Sequence, residues 1–260
     1  MIDYEKISTS LKERNIGSVL FDMDNTLVQT HRYYKEEHEI VLRDILKDIY
    51  YEMTDEDIDR AMEDIYMIVL EIYSKNPRPV LIDEQIRKGF VKYFEERNQE
   101  NLIPENIGKI LKEAFSFFYK KSPILFPSSI EILNLLKKFN ISKGVYSHAQ
   151  YDWTKIKIEL LKQLYQKKYN RELELPFFTT DISDEKDLKG WSKAIEHLDF
   201  KKETTLVIGD SLTSDILPAI NAEIKNLVYI SKKDDIPWEE LPNDVSIKIV
   251  ENIGELLNDF

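Results

Sequence analysis

The sequence contains no cysteine. This absence excludes disulfide frameworks, thiolate metal sites and cysteine nucleophiles. No apolar run approaches the roughly 20 residues that a bilayer-spanning helix needs. The first residues, Met-Ile-Asp-Tyr-Glu-Lys, lack the basic and then apolar segments of a secretory signal. We therefore expect a cytoplasmic protein without a membrane partner.

Glycine is scarce, and basic residues are fewer than acidic ones. The seven glycines stand singly, so neither a dinucleotide fingerprint nor a phosphate-binding P-loop can be written. His-Glu-x-x-His and Gly-x-Ser-x-Gly are also absent, which argues against zincin and α/β-hydrolase chemistry. The net charge is -12, and no basic stripe interleaved with aromatic residues offsets it. We expect no nucleic-acid partner, because such a surface repels phosphate.

What the sequence does contain is an alternation of short apolar strands and helical segments near both ends. The predicted strands are 19–21, 144–146, 177–178, 205–208, 227–230 and 247–250. The predicted helices around them are 4–14, 129–139, 152–168, 189–198 and 216–222. This alternation predicts an α/β fold with a doubly wound, Rossmann-like parallel sheet covered by helices on both faces.

The middle of the chain has a helical pattern and no convincing strand. Five apolar residues recur at steps of four, three, four and three, which is one face of an amphipathic helix. They are Ile58, Met62, Ile65, Val69 and Ile72. Thr54 with Asp57 resembles a capping box at its start. Further helices are expected at about 83–97 and from near Pro104.

This pattern predicts an all-helical domain inserted into the α/β core. We expect the core to comprise 1–30 and 123–260, and the inserted domain to comprise 31–122.

Three predicted strands end on a small polar or acidic residue: Asp22, Ser147 and Asp210. In a doubly wound sheet such ends meet along one edge, where ligands bind. Asp22 and Asp24 there form a candidate site for a divalent cation and an anionic substrate. Asp-x-Asp-Asn-Thr is also compatible with a simple turn, since these side chains hydrogen-bond to nearby backbone groups.

Three segments resemble motifs of the haloacid dehalogenase superfamily, whose members are mostly magnesium-dependent phosphohydrolases. Phe-Asp-Met-Asp-Asn-Thr-Leu at 21–27 looks like its first motif. Val-Tyr-Ser at 145–147 is similar to the second, and Gly-Asp-Ser-Leu-Thr-Ser-Asp at 209–215 to the fourth. The helical insertion lies where subfamily I carries its C1 cap, which would close over a small substrate.

The resemblance implies a role for each acidic residue. Asp22 would be the nucleophile that forms an aspartyl-phosphate. Asp24 would act as general acid and then as general base. Mg²⁺ would be held by Asp22, by the backbone carbonyl of Asp24 and by Asp210. Asp215 would support this metal site or orient a lysine.

The resemblance also implies a lysine that neutralises phosphoryl charge, ahead of the helix leading into the fourth motif. Lys186 and Lys189 are both candidates. Lys186 has the better spacing to Trp191, although Asp187 follows it where relatives often carry proline. Lys189 precedes a glycine but lies closer to the helix. We favour Lys186 and keep Lys189 as the alternative.

The predicted substrate contacts are Asn25, Thr26, Ser147 and His148, with Ser147 donating a hydrogen bond to a phosphoryl oxygen. Asn25 stands where many relatives carry glycine, although an Asp-x-Asp-Asn-Thr form is also familiar in the family. His148 stands where asparagine often follows the second-motif residue. Packing at the strand end is the alternative interpretation of His148, and the one that we favour.

Asp24 separates the branches of the family. Dehalogenases with a similar cap lack this carboxylate, because a leaving halide needs no proton. The resemblance therefore implies an Mg²⁺-dependent phosphatase that hydrolyses a small phosphomonoester metabolite through an aspartyl-phosphate. A sugar phosphomutase of the same family, or a non-catalytic phosphate-binding or adaptor protein with the same fold, stays open as an alternative.

Overall fold

The computed structural model describes residues 3–50, 52–75, 82–116, 124–180, 186–232, 236–258 and 260. The chain forms two compact units, one of Met1–Thr30 with Ser122–Phe260 and the other of His31–Lys121. Their second boundary falls within 117–123, outside the described residues. Among the helices described, none combines the length and apolar composition needed to cross a bilayer.

Helices and strands alternate along the first unit, and helices fill the second. The helices are α1 (Tyr4–Glu13), α2 (Thr30–Ile49), α3 (Asp55–Lys75), α4 (Ile82–Glu95), α5 (Ile107–Ser116), α6 (Ser129–Lys138), α7 (Tyr151–Tyr169), α8 (Leu188–His197) and α9 (Leu217–Asn221). The strands are β1 (Ser18–Phe21), β2 (Ser142–Ser147), β3 (Phe177–Thr179), β4 (Thr205–Gly209), β5 (Asn226–Ile230) and β6 (Ser246–Val250).

The first unit is built on one parallel sheet with the strand order β3-β2-β1-β4-β5-β6. β1 lies between β2 and β4, and its register sets Phe21 beside Val145 and Ile208. The carboxyl ends of these three strands therefore lie side by side. The residues that follow or end them, Asp22 and Ser147 among others, share one edge of the sheet.

Both faces of the sheet are buried, and alternate residues of β1 point to opposite faces. Val19 and Phe21 pack into a core with apolar residues of α1, α6 and α7. Leu20 packs into a second core with residues of α8 and α9. Burial on both faces explains why the strands are continuous apolar runs rather than alternating ones. This confirms the predicted doubly wound α/β fold.

One predicted helix begins differently in the structure. The helix predicted at 216–222 is preceded by a π-helical turn, Leu212–Ile216, which continues into α9. Ser211 caps this turn, since its side chain accepts a hydrogen bond from the Ser214 N–H at 3.1 Å. The turn therefore starts directly after the strand end that carries Asp210.

Helices are the regular secondary structure of the second unit over its described residues, 31–50, 52–75 and 82–116. Residues of α2, α3, α4 and α5 share its core. α3 starts as predicted, because the Asp57 N–H donates to the Thr54 Oγ1 at 3.2 Å. The sequence pattern did not reveal α2. Among its side chains that the structure describes, the buried apolar ones are Leu42, Ile45 and Leu46, and they are set among many charged residues.

Candidate active site

Asp22 lies at the carboxyl end of the central strand. Its backbone N–H donates to the Ile208 carbonyl at 2.8 Å, so strand pairing extends to this residue and fixes its backbone. The Asp22 side chain is only 9% exposed. A carboxylate at this depth needs a positively charged partner, because burial strongly penalises an isolated charge.

That partner is Lys186. Its Nζ lies 2.5 Å from Asp22 Oδ1 and 2.5 Å from Asp215 Oδ1, and its side chain is 1% exposed. The rings of Tyr146 and Trp191 lie 5.0 Å and 5.4 Å from the ammonium. Burial by itself would lower the pKa of Lys186, but Asp215 and Asp22 raise that pKa above its usual value. Lys186 is therefore a fixed positive charge.

The structure separates the two candidate lysines. Lys186 is buried against Asp22, whereas Lys189 is exposed in the first turn of α8. Asp187 is the N-cap of that helix, since its side chain accepts a hydrogen bond from the Gly190 N–H at 2.9 Å. The residue that stands where relatives often carry proline thus starts the helix in this chain.

Asp22, Asp210 and Asp215 form an acidic cluster in which one oxygen from each lies within 4.8 Å of the others. Burial raises the pKa of Asp22, as do Asp215 and Asp210, while Lys186 opposes the shift. Burial and then the neighbouring Asp215 raise the pKa of Asp210 to about 7. The cluster thus disfavours full ionisation of its carboxyl groups, because Lys186 offsets only part of the repulsion among them.

Gly209 makes room for Asp215. A Cβ at position 209 would lie 2.5 Å from the Cβ of Asp215, closer than real side chains approach. Asp215 is 1% exposed and accepts a hydrogen bond from the Ser211 N–H at 3.0 Å. The glycine at the end of β4 is therefore needed for the close approach of Asp215 to the strand.

Asp24 is held by a different set of partners. Its Oδ1 accepts hydrogen bonds from the Lys157 ammonium and the Thr30 hydroxyl, and its Oδ2 lies 3.4 Å from Ser147 Oγ. The Asp24 side chain is 26% exposed. Burial would raise the pKa of Asp24, but Lys157 and then Thr30 lower it below its usual range. The side chain of Asp24 lies outside the acidic cluster described above.

The predicted substrate contact Asn25 lies in a tight turn after Asp24. Asn25 has a left-handed backbone, with φ at 62°, and its N–H donates to the Val28 carbonyl at 2.6 Å. Asparagine and glycine are the residues that adopt this conformation most readily, which explains asparagine where many relatives carry glycine. Thr26 is fully buried. The residues that follow β1 thus form a turn and also present the carboxylates of Asp22 and Asp24.

Ser147 and His148 follow one another at the end of β2. Ser147 is fully buried, and its hydroxyl faces Asp24. His148 is half-buried, and burial, followed by the nearby charge of Lys186, lowers its pKa to about 4. His148 is therefore neutral at physiological pH, beside the strand end that carries Ser147.

The model of the haloacid dehalogenase-like hydrolase family matches residues 16–223, well over half of the chain. The chain belongs to this family. A second model, of HAD-hydrolase-like proteins, matches residues 191–256. No curated protein sequence matches the chain.

Several solved structures share the fold of this chain. The putative HAD-hydrolase YfnB from Bacillus subtilis, bound to magnesium, is 15% identical with a TM-score of 0.61, over 93% of this chain and 96% of that one. A 2-haloacid dehalogenase from Pseudomonas syringae pv. Tomato is 18% identical, with a TM-score of 0.58, and the match covers 93% of this chain and 96% of that one. A putative beta-phosphoglucomutase from Thermotoga maritima is 19% identical, with a TM-score of 0.59, and the match covers 93% of this chain and 97% of that one.

The donor set of this haloacid dehalogenase-like hydrolase fits a hard divalent cation. Mg²⁺ prefers carboxylate and other oxygen ligands, and the acidic cluster offers three carboxylates and no nitrogen or sulfur. Among the residues that the structure describes, four carboxylates and two ammoniums meet at this edge, and their charges sum to two negative charges when all are ionised. They are Asp22, Asp24, Asp210, Asp215, Lys157 and Lys186.

Sequence reasoning missed Lys157 and Thr30. Lys157 lies 133 residues from Asp24 in the chain, and no motif marks it. One signal was present: Lys157 falls between Trp153, Thr154, Ile158 and Leu161 on the stripe of α7 that faces the core. A lysine on the apolar stripe of an amphipathic helix needs a buried anionic partner.

Proposed function

We propose that this chain is an Mg²⁺-dependent phosphatase that hydrolyses a small phosphomonoester through an aspartyl-phosphate on Asp22. The observation that carries the proposal is the second carboxylate, Asp24, whose Oδ2 lies 3.4 Å from Ser147 Oγ at the same strand edge as Asp22. A phosphate ester releases an alcohol that needs a proton, and a carboxyl group can supply it. Carbon–halogen cleavage has no such need.

In the proposed first step, a carboxylate oxygen of Asp22 attacks phosphorus and the ester P–O bond breaks. The departing alcohol oxygen takes a proton from the carboxyl group of Asp24, whose pKa, low in the free protein, would be raised by the negative charge of the bound phosphate. Lys186 lies 2.5 Å from Asp22 and would stabilise the charge on the phosphoryl oxygens. Ser147 would donate a hydrogen bond to one of them.

In the proposed second step, the oxygen of a water molecule attacks the phosphorus of the aspartyl-phosphate. Asp24 takes a proton from this water molecule as the attack proceeds. The acyl phosphate P–O bond breaks, inorganic phosphate leaves, and Asp22 is again a carboxylate. Asp22, Asp210 and Asp215, together with the backbone carbonyl of Asp24, would hold Mg²⁺. The bound ion would polarise the phosphoryl group and offset its charge beside the carboxylates.

The test is release of inorganic phosphate from p-nitrophenyl phosphate and from a panel of small phosphomonoesters. We expect turnover with Mg²⁺ and its loss in EDTA. Asp22→Asn should reduce kcat to below about one-thousandth, because the nucleophile is removed. The matched control is Asp152→Asn, which changes an exposed aspartate on α7 and should leave kcat unchanged.

Three results would contradict the proposal. Wild-type protein that binds phosphomonoesters without turnover would favour a binding or adaptor protein. An isomerised sugar phosphate without free phosphate would favour a phosphomutase. Full activity in Asp22→Asn would exclude the aspartyl-phosphate.

A further inference from the structure

Lys157 is a buried cation outside the segments that resemble the family motifs. Its side chain is 1% exposed on α7, and its Nζ lies 4.8 Å from the ring of Trp153. Its ion-pair partner is Asp24. Because Lys186 pairs with Asp22 and Asp215, the described part of the site holds two cations with separate partners.

Stability alone is a weak reason for this pair. Moving two charges out of water costs free energy that their attraction often fails to recover, and an apolar pair of similar size is frequently as stable. The positions around Lys157 on α7 are apolar, including Ile158 and Leu161. The desolvation cost of Lys157 on this stripe is therefore retained only because Asp24 is a carboxylate, which directs attention to what Lys157 does for Asp24.

Lys157 and Thr30 act on the same atom. Both donate hydrogen bonds to Oδ1 of Asp24. Oδ2 is left facing Ser147 Oγ at 3.4 Å. Two donors on one oxygen fix the plane of a carboxylate, so they also fix the direction of the second oxygen. Oδ2 is thereby held toward the side chain proposed to bind a phosphoryl oxygen.

We propose that Lys157 is a positioning residue that, together with Thr30, fixes Asp24 so that Oδ2 faces the phosphoryl site at Ser147. This inference rests on the proposed phosphatase function and extends it to the orientation of the acid. A carboxyl group free to rotate would lose proton transfer to the leaving oxygen, because misplacement by about 1 Å can cost about 100-fold in rate. Attack by Asp22 would remain.

The test compares two substrates of similar size, p-nitrophenyl phosphate and phenyl phosphate, in wild-type protein and Lys157→Met. Nitrophenolate departs readily as an anion, whereas phenolate depends more on a proton from the acid. We expect kcat/KM for phenyl phosphate to fall about tenfold more than kcat/KM for p-nitrophenyl phosphate. This split is a readout that loss of folded protein would not produce, since unfolding lowers both values equally.

The matched control is Lys162→Met on the same helix. Lys162 is 37% exposed and pairs with Glu159, so neither kcat/KM value should change. Thermal unfolding of each variant checks that it is folded at the assay temperature. If Lys157→Met is unfolded at the assay temperature, Thr30→Val is used in its place, because it removes the other donor to Oδ1. It should also lower kcat/KM more for phenyl phosphate than for p-nitrophenyl phosphate, but with a smaller difference.

The outcomes separate the two proposals. Wild-type protein that hydrolyses neither substrate overturns the phosphatase, and the role of Lys157 with it. An active wild type whose folded Lys157→Met variant loses both activities equally, or loses neither, overturns only the positioning role. An equal loss with a raised KM would instead make Lys157 a contact of the substrate phosphate.

Discussion

Lys186 holds two buried carboxylates that would otherwise repel each other. Its Nζ lies 2.5 Å from an oxygen of Asp22 and 2.5 Å from an oxygen of Asp215. The two aspartates come from different ends of the chain, one after β1 and the other in the turn after β4. A single ammonium therefore links the segments that resemble the first and fourth motifs of the family.

Lys186→Met should destabilise the protein and abolish turnover. Without the ammonium, Asp22 and Asp215 stay buried and lack their cation, a change that typically costs about 3–5 kcal/mol. Urea unfolding in EDTA measures the stability, and phosphate release with Mg²⁺ measures the activity. Lys189→Met is the control, because Lys189 is exposed and its change should stay within about 0.5 kcal/mol. The assignment of Lys186 is wrong if Lys189→Met is the variant that loses turnover.

Spacing in the sequence could not decide between these two lysines. They lie three residues apart, and both precede the buried Trp191. The decision depends on where α8 begins. Asp187 caps the helix, so Lys186 lies just before it and turns toward the sheet, while Lys189 falls on an exposed face.

At the scale of the element, α3 shows a start that its own sequence dictates. Thr54 and Asp57 exchange hydrogen bonds, with the Asp57 N–H donating to Thr54 Oγ1 at 3.2 Å and the Thr54 N–H donating to Asp57 Oδ2 at 3.3 Å. These bonds satisfy backbone donors that the first helical turn leaves unpaired. All the atoms involved lie within four residues, which is why the sequence predicted this start.

Thr54→Ala should lower the free energy of unfolding by about 1 kcal/mol, because the side-chain acceptor at the N-cap is lost. Urea denaturation followed by far-ultraviolet circular dichroism measures the change. Thr54→Ser keeps the hydroxyl and should lie within a few tenths of a kcal/mol of the wild type. Equal stabilities of the alanine and serine variants would contradict a capping role.

α7 shows the limit of reasoning from one element. Its helical pattern predicted 152–168, and the structure has Tyr151–Tyr169. Lys157 lies on the apolar stripe of this helix, but the pattern of one helix does not identify the partner of a buried lysine. Only the rotation of α7 against the sheet turns Lys157 inward to Asp24, a contact across 133 residues of sequence.

At the scale of the whole molecule, the first unit has a hydrophobic core on each face of its sheet, and the second unit has a core against which a buried histidine packs. His38 on α2 is 5% exposed. Its ring packs edge-on against Phe115 at 5.5 Å and is stacked with Tyr66 at 6.5 Å between centroids. Burial lowers the pKa of His38 to about 3. The folded unit therefore keeps this histidine neutral under mildly acidic conditions.

Acid should destabilise this unit through His38. Between pH 6.5 and pH 3 the unfolded chain binds a proton that the folded one rejects, so stability is complete above about pH 6.5 and falls as pH decreases. From pH 7.5 to pH 5, His38 should account for a loss of about 2 kcal/mol. Urea unfolding of wild-type protein and His38→Phe at both pH values isolates this loss. Equal losses in the free energy of unfolding of the two proteins would contradict this role of His38.

The sequence by itself determined the strands, most helices, the sheet class and the acidic residues at the strand ends. Each depends on hydrophobic periodicity, capping or turn chemistry within a few neighbouring residues. Tertiary structure decided which charges pair: Lys186 rather than Lys189 with Asp22, and Lys157 with Asp24. These pairs join residues more than a hundred positions apart, and they depend on strand order and helix rotation, which no local pattern encodes.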